Sequence, residues 1–214
     1  GCIGAFIAEM DYGLAPCIQK AIDNACDHCK LGYIPEPWKQ RVAAACAGWQ
    51  RSHYGWDVDP SIIRVVPDVL EAYELFLREL VGAGNSVIVP TPAYMPFLSV
   101  PKLYDVNVIE IEMLQSGNAE TGEAQWLFDF DAIERAFADG CHAFVLCNPH
   151  NPIGKVLTLE EELRLSDLAA QYDVRIFNDE IHAPFVFEGK HIPFPTISEQ
   201  AALQSMTATS ASSS

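Results

Sequence analysis

The sequence predicts an α/β fold with a mainly parallel, doubly wound sheet. From residue 62 onward, short β-rich runs alternate with helical patterns, as expected for strands joined by crossover helices. Residues 143–177 read as strand, loop, capped helix and strand, a βαβ unit whose two strands should run parallel. Half of the 214 residues are hydrophobic, enough to bury a sizeable core.

Pro35-Glu36-Pro37 interrupts the amino-terminal region, dividing it into one helix at about residues 16–29 and another at about 38–53. We expect residues 1–55 to form a helical segment and residues 56–214 to form part of a larger domain. Residues 62–66, Ile-Ile-Arg-Val-Val, read as a strand. Beyond Pro67-Asp68, the residues Val69, Tyr73, Phe76, Leu77 and Leu80 fall on one helical face. Gly82 and Gly84 then end the helix. Residues 86–89 and 106–111 read as strands and residues 129–138 as a helix. Residues 143–147, Ala-Phe-Val-Leu-Cys, form a wholly apolar strand, as expected when both sheet faces are covered. Thr158 and Glu161 form a capping box that opens a helix running to about residue 172. Residues 174–177 supply the next strand, and the only low-complexity stretch is the tail, 207–214.

A formal net charge of −16 argues against nucleic-acid binding and against docking on an anionic membrane. No apolar run reaches the length of a membrane span. The seven cysteines are odd in number and irregularly spaced, which fits reduced thiols in the cytoplasm. Cys26 and Cys29 form a C-x-x-C with helical flanks and no second ligand pair, so they read as ordinary helix residues rather than a metal site. The start, Gly1-Cys2-Ile3-Gly4, has neither an initiator Met nor a signal pattern and is expected to be a fragment edge. The common P-loop, zinc-protease, nucleophile-elbow and dinucleotide fingerprints are missing.

Parallel strands put all their carboxyl ends on one edge, where open α/β sheets bind ligands. Polar residues follow several predicted strands there: Asp68 after 62–66, Tyr94 after 86–89, Asn148, His150 and Asn151 after 143–147, and Asp179 and His182 after 174–177. Each has a plain reading when taken alone. Asp68 suits a helix N-cap, Asn151-Pro152 a turn, Asp179 a cap, His182 a surface position and Tyr94 the core. Their convergence on one rim is what points to a small-molecule site.

Six segments occur in one order: Ala8-Glu-Met-Asp-Tyr12, Leu31-Gly-Tyr33, Pro90-Thr-Pro-Ala-Tyr94, Cys147-Asn-Pro-His-Asn-Pro-Ile-Gly154, Asn178-Asp-Glu-Ile-His182 and Thr207-Ala-Thr-Ser-Ala-Ser212. In these the chain resembles the class I/II aminotransferase superfamily of pyridoxal-phosphate (PLP) enzymes, fold type I, and its cystathionine β-lyase-like branch in particular. The resemblance implies PLP as cofactor and β-elimination on cysteine-derived amino acids, with transamination as the alternative.

By the same resemblance, Asp179 would pair with the pyridine nitrogen and Asn151 would donate to the phenolic oxygen, with His182 nearby. Tyr94 would stack on the ring. The backbone amides of Asp68 and Val69, together with the Ser210 hydroxyl, would hold the phosphate. Tyr33 would reach the phosphate of a neighbouring subunit, which implies a homodimer. Two departures stand out. The family often has glycine where Asp68 stands, and Ser213 occupies the position of the family's catalytic lysine. The expectation is therefore either a truncated enzyme, also lacking the family's small C-terminal domain, or a degenerate copy that binds PLP or phosphate without turnover.

Overall fold

The computed structural model describes residues 13–28, 32–117 and 125–210. Cys2, residues 8–12, Cys29 and Ser213 lie outside the described residues. The chain divides into two compact units, residues 1–41 and 42–214.

The first helix, α1 (Pro16–Asp27), has proline in its first turn, where the missing N–H costs no helical hydrogen bond. None of its described residues is buried, and Ile18 and Ile22 are exposed. Cys26 is an exposed helix residue, as its flanks predict. α2 (Glu36–Tyr54) follows, and Ala43, Ala47 and Gln50 are its buried residues.

Residues 62–66 do not form the expected strand. Asp59 instead caps a 3₁₀ turn, Pro60–Ile62, by accepting from Ser61 N at 2.8 Å. Pro60 and Pro67 bracket the segment and cannot donate to a ladder. Ile62 and Val65 remain exposed, so their β-branched character finds no sheet to pack on.

α3 (Val69–Phe76) then buries Ala72, Tyr73 and Phe76. The helix widens into a π turn, Leu77–Val81. The extra residue in that turn rotates Leu80 off the buried face, leaving it 51% exposed. Gly82 ends the run at φ 81°, a left-handed conformation that favours glycine. A tight connection leads into β1 (Ser86–Thr91), so α3 runs back along the sheet and its amino terminus lies toward the carboxyl ends of the strands.

The chain continues through α4 (Met95–Ser99) to β2 (Asn107–Glu112). A separate antiparallel pair comes next, β3 (Leu114–Ser116) with β4 (Gln125–Leu127). α5 (Phe130–Ala138), β5 (Ala143–Cys147), α6 (Leu159–Gln171), β6 (Arg175–Asp179), α7 (Glu199–Gln204) and β7 (Ser205–Ala208) complete the fold. The Thr158–Glu161 capping box forms as the sequence predicts.

The five-stranded sheet has the order β2-β1-β5-β6-β7, and every pairing in it is parallel. Alternating strand residues feed two cores. Val87, Val89, Val145 and Phe177 pack with Tyr73, Phe76 and Phe97. Ile88, Phe144, Leu146 and Ile176 pack with Ile133, Phe137, Leu165 and Ala169 from α5 and α6. Each fully buried side chain of this size stabilises the fold by about 1.5–3 kcal/mol. The described residues contain no helix long and apolar enough to cross a membrane.

Candidate functional site

The strand order creates a switch point. From β1 the chain moves outward to β2, then returns to the other side of β1 and proceeds through β5, β6 and β7. The loops leaving β1 and β5 therefore diverge, opening the crevice in which ligands bind to such sheets. Tyr94 leaves β1 there, and Asn148, His150 and Asn151 leave β5. Asp179 is the last residue of β6, level with Cys147 on one side and Ala208 on the other. His182 and Ser210 follow β6 and β7 on the same edge. Asp68 and Val69 reach this edge at the amino terminus of α3, not from a strand end.

Asp179 is only 4% exposed. One of its oxygens, Oδ1, accepts from Ile181 N at 3.0 Å. Among the described residues, no ion pair involves it. Burial is the main cause that raises its pKa to about 6; the neighbouring Glu180 adds to this, and the Ile181 hydrogen bond opposes it. A carboxylate in this position is poised to receive a cationic N–H donor. Asp179 shares the side of the sheet occupied by Phe177, because residues two apart in a strand face the same way.

Tyr94 stands edge-on to Phe97, with centroids 5.6 Å apart, and Phe97 in turn meets Tyr73 at 5.3 Å. Tyr94 itself is 38% exposed. Asn151 is half-buried in a loop closed by Gly154 N donating to His150 O at 2.7 Å and by His150 N donating to Lys155 O at 2.8 Å. Its side-chain amide has no partner among the described residues. His150 is 4% exposed; burial and the Lys155 charge lower its pKa to about 4, which keeps it neutral. Burial likewise lowers the pKa of the half-buried His182. Lys155 is committed to Glu161 at 2.8 Å.

Asp68 caps α3, accepting from Glu71 N at 2.8 Å. This turns its carboxylate onto its own helix and leaves the first N–H groups of α3 for an anion. Ser210 is half-buried. Tyr33 is fully exposed within the unit of residues 1–41. Shallow depressions of about 330 and 470 Å³ lie elsewhere; one is at the amino-terminal ends of β1 and β5, near Ser86, Arg135 and Cys141, and the other lies beside β2 and β3.

Sequence reasoning missed a buried polar cluster behind the rim. Asn148 is 1% exposed; it donates from its backbone N to Asp179 O at 3.0 Å and from Nδ2 to Glu162 Oε1 at 2.6 Å, and its Oδ1 accepts from Leu157 N at 3.0 Å. Glu180 Oε1 accepts from Asn178 Nδ2 at 2.7 Å and from Phe194 N at 2.9 Å. His191 Nε2 lies 3.4 Å from Glu180 Oε2, within ion-pair range but without hydrogen-bond geometry. Burial, with the Glu180 charge behind it, raises the pKa of Glu162 to about 8. The available signal was helical phase: Glu162 shares a stripe with Leu165 and Ala169.

A buried carboxylate without an ion-pair partner among the described residues, a half-exposed tyrosine, an amide without a partner among the described residues and a helix amino terminus lie along the carboxyl edge of the sheet. Together they suit a planar ring that carries a protonated nitrogen at one end and a phosphate at the other. Residues 9–213 match the family described as aminotransferase class I and II. A cystathionine β-lyase of Corynebacterium glutamicum is 36% identical over 97% of this chain and 52% of its own length. The cystathionine β-lyase PatB of Bacillus subtilis is 30% identical over 94% of this chain and 51% of its own. The crystal structure of cystalysin from Treponema denticola, which contains a pyridoxal 5'-phosphate cofactor, superposes with a TM-score of 0.87 at 27% identity, covering 97% of this chain and 51% of that one. The chain thus spans about half the length of the curated relatives it matches. Motif order, strand topology and these similarities agree that the chain belongs to the class I and II aminotransferase family.

Proposed function

We propose that the protein is a PLP-dependent C–S lyase that cleaves cysteine-derived amino acids such as cystathionine to a thiol, pyruvate and ammonia. In this reading residues 56–214 contribute to its cofactor-binding domain, and residues 1–55 form a helical segment. The carrying observation is Asp179, a nearly buried carboxylate without a cationic partner among the described residues, at the switch-point edge of a parallel sheet. The names of these two relatives support the lyase reading over aminotransfer.

The residues present fit PLP. Asp179 offers the unmet acceptor that a pyridinium N–H requires, and Asn151 offers an unused amide to the phenolic oxygen, with His182 close by. Tyr94 covers a ring face and keeps water from it. The N–H groups of Asp68 and Val69 bind the phosphate with the help of the α3 dipole, and the Ser210 hydroxyl adds a donor. When bound, PLP supplies an electron sink for negative charge at the substrate α-carbon. Asp179 holds the proton on the ring nitrogen, the condition for that sink to work. We propose further that the working protein is a cytoplasmic homodimer in which Tyr33 reaches the neighbouring subunit's phosphate.

A second reading, binding without turnover, is favoured by Ser213, which has no amine to take the α-proton. Titration with PLP, followed by absorbance, tests the cofactor reading: Asp179→Ala should weaken binding at least ten-fold. Equal binding by the variant would overturn it. Release of pyruvate and thiol from cystathionine then separates lyase from inert binder, and amino transfer to a 2-oxo acid would mark an aminotransferase.

A further inference from the structure

The buried cluster behind the rim sits on the far side of the sheet from Asp179. Asn148 follows the phase of Leu146, which packs on the α5 and α6 side, whereas Asp179 follows Phe177 on the α3 side. Glu162 therefore does not reach the crevice. It holds Asn148, and Asn148 holds three things at once: the main chain of Asp179, the far end of the Asn151 loop at Leu157, and α6 through Glu162. Every polar atom of the Asn148 side chain is used. The loop that presents Asn151 is thus pinned at its root by one amide, and that amide is oriented by one carboxyl.

Resting on the PLP reading above, we propose that Glu162 is a positioning residue that, through Asn148, fixes the Asn151 amide relative to Asp179. Glu162 is 0% exposed. Its neighbours are Asn148 from the β5–α6 loop, Glu180 from the end of β6 and Glu161 on its own helix; Glu161 is paired with Lys155, and Glu180 faces His191. Glu162 Oε2 and Glu180 Oε2 both lack a hydrogen-bond partner among the described residues. Two carboxylates in so dry a compartment are strongly disfavoured, so Glu162 carries a proton and acts as a neutral acid. A neutral acid and an amide have nearly the same shape and hydrogen-bonding capacity. Glutamine at 162 therefore reproduces the clamp, and leucine, of similar volume, removes it.

The test measures PLP affinity and the absorbance spectrum of bound PLP in Glu162→Gln, Glu162→Leu, Asn151→Ala and the double variant of Glu162→Leu with Asn151→Ala. Glu162→Gln should bind within two-fold of the parent and keep its spectrum. Glu162→Leu should bind about ten-fold more weakly with a shifted spectrum, and the double variant should be no weaker than Asn151→Ala alone. Additive losses, or a Gln variant as weak as the Leu variant, would overturn the proposal. If Glu162→Leu does not fold, Asn148→Asp, which keeps the acceptor for Leu157 N but loses the Nδ2 donor to Glu162, takes its place in the cycle. If neither Asn151→Ala nor Asp179→Ala changes PLP binding, the cofactor reading fails and the proposal fails with it; if they do and the cycle is additive, only the proposal fails.

Discussion

Replacing Glu162 with glutamine should remove a pH dependence from folding. In the folded protein the Glu162 carboxyl titrates at about 8, against an ordinary value of 4.5, chiefly because burial disfavours its charge. The raised folded-state pKa means that the folded protein holds this proton more tightly than the unfolded chain. Its stabilising contribution is complete below pH 4.5 and is lost as pH rises through about 8. Each ten-fold difference in proton affinity between the folded and unfolded chains corresponds to about 1.4 kcal/mol. Between pH 6.5 and 8 the parent should therefore lose about 1.5 kcal/mol of stability relative to Glu162→Gln. Asp179, raised to about 6, and His150, lowered to about 4, titrate mostly below this window and are common to both proteins, so they cancel in the difference. Urea melts of both proteins at pH 6.5, 7.2 and 8, taken with pKa-matched buffers, measure it. Parallel stability curves across that range would show that Glu162 is ionised in the folded protein, refuting the neutral-acid argument.

Two further outcomes follow from the packing and the caps. Phe177 is fully buried among Tyr73, Phe76 and Phe97. Phe177→Ala should cost about 3–5 kcal/mol in a urea melt, and a loss below about 1 kcal/mol would mean that this core is not packed as described. Asp68→Gly should cost only a few tenths of a kcal/mol, since glycine is a tolerable N-cap. The same change removes a carboxylate from the proposed phosphate site and should raise affinity for inorganic phosphate several-fold at low salt, as measured by calorimetry; unchanged affinity would place the phosphate elsewhere.

Much of the sheet was legible because its signals are local. The wholly apolar 143–147 run and the Thr158–Glu161 box each specify an element within a few residues. The run at 62–66 misled because β-branched content alone does not make a strand; it needs a neighbour with free donors, and the flanking prolines and solvent exposure deny one. Residues 205–208 form β7 although two of them, Thr207 and Ala208, belong to the tail that reads as low complexity. That strand is set by pairing with β6, a long-range contact without a local pattern. Tyr94, Asn151, Asp179 and His182 could be placed on the carboxyl edge because each lies at or just after a strand end, whereas Asp68 reaches that edge through α3. The cluster of Glu162, Glu180 and His191 was not legible, because an acidic run after a helix cap reads as a solvated face unless the phase of Leu165 is given more weight.

The alternation along β6 also bears on how the sheet avoids assembling wrongly. Asn178 faces the compartment of Glu180 and Thr207, while Asp179 faces the other side. A one-residue slip of β6 against β5 would exchange the two. It would bring Asp179 beside Glu162 in place of Glu180 and would turn Asn178 and Glu180 to the crevice side, undoing the pairing of Asn178 Nδ2 with Thr207. It would also push Phe177 out of its aromatic nest. Misregistered pairings are thus penalised on both faces at once, so the residues that equip the site also act as a checkpoint on strand alignment while the chain folds.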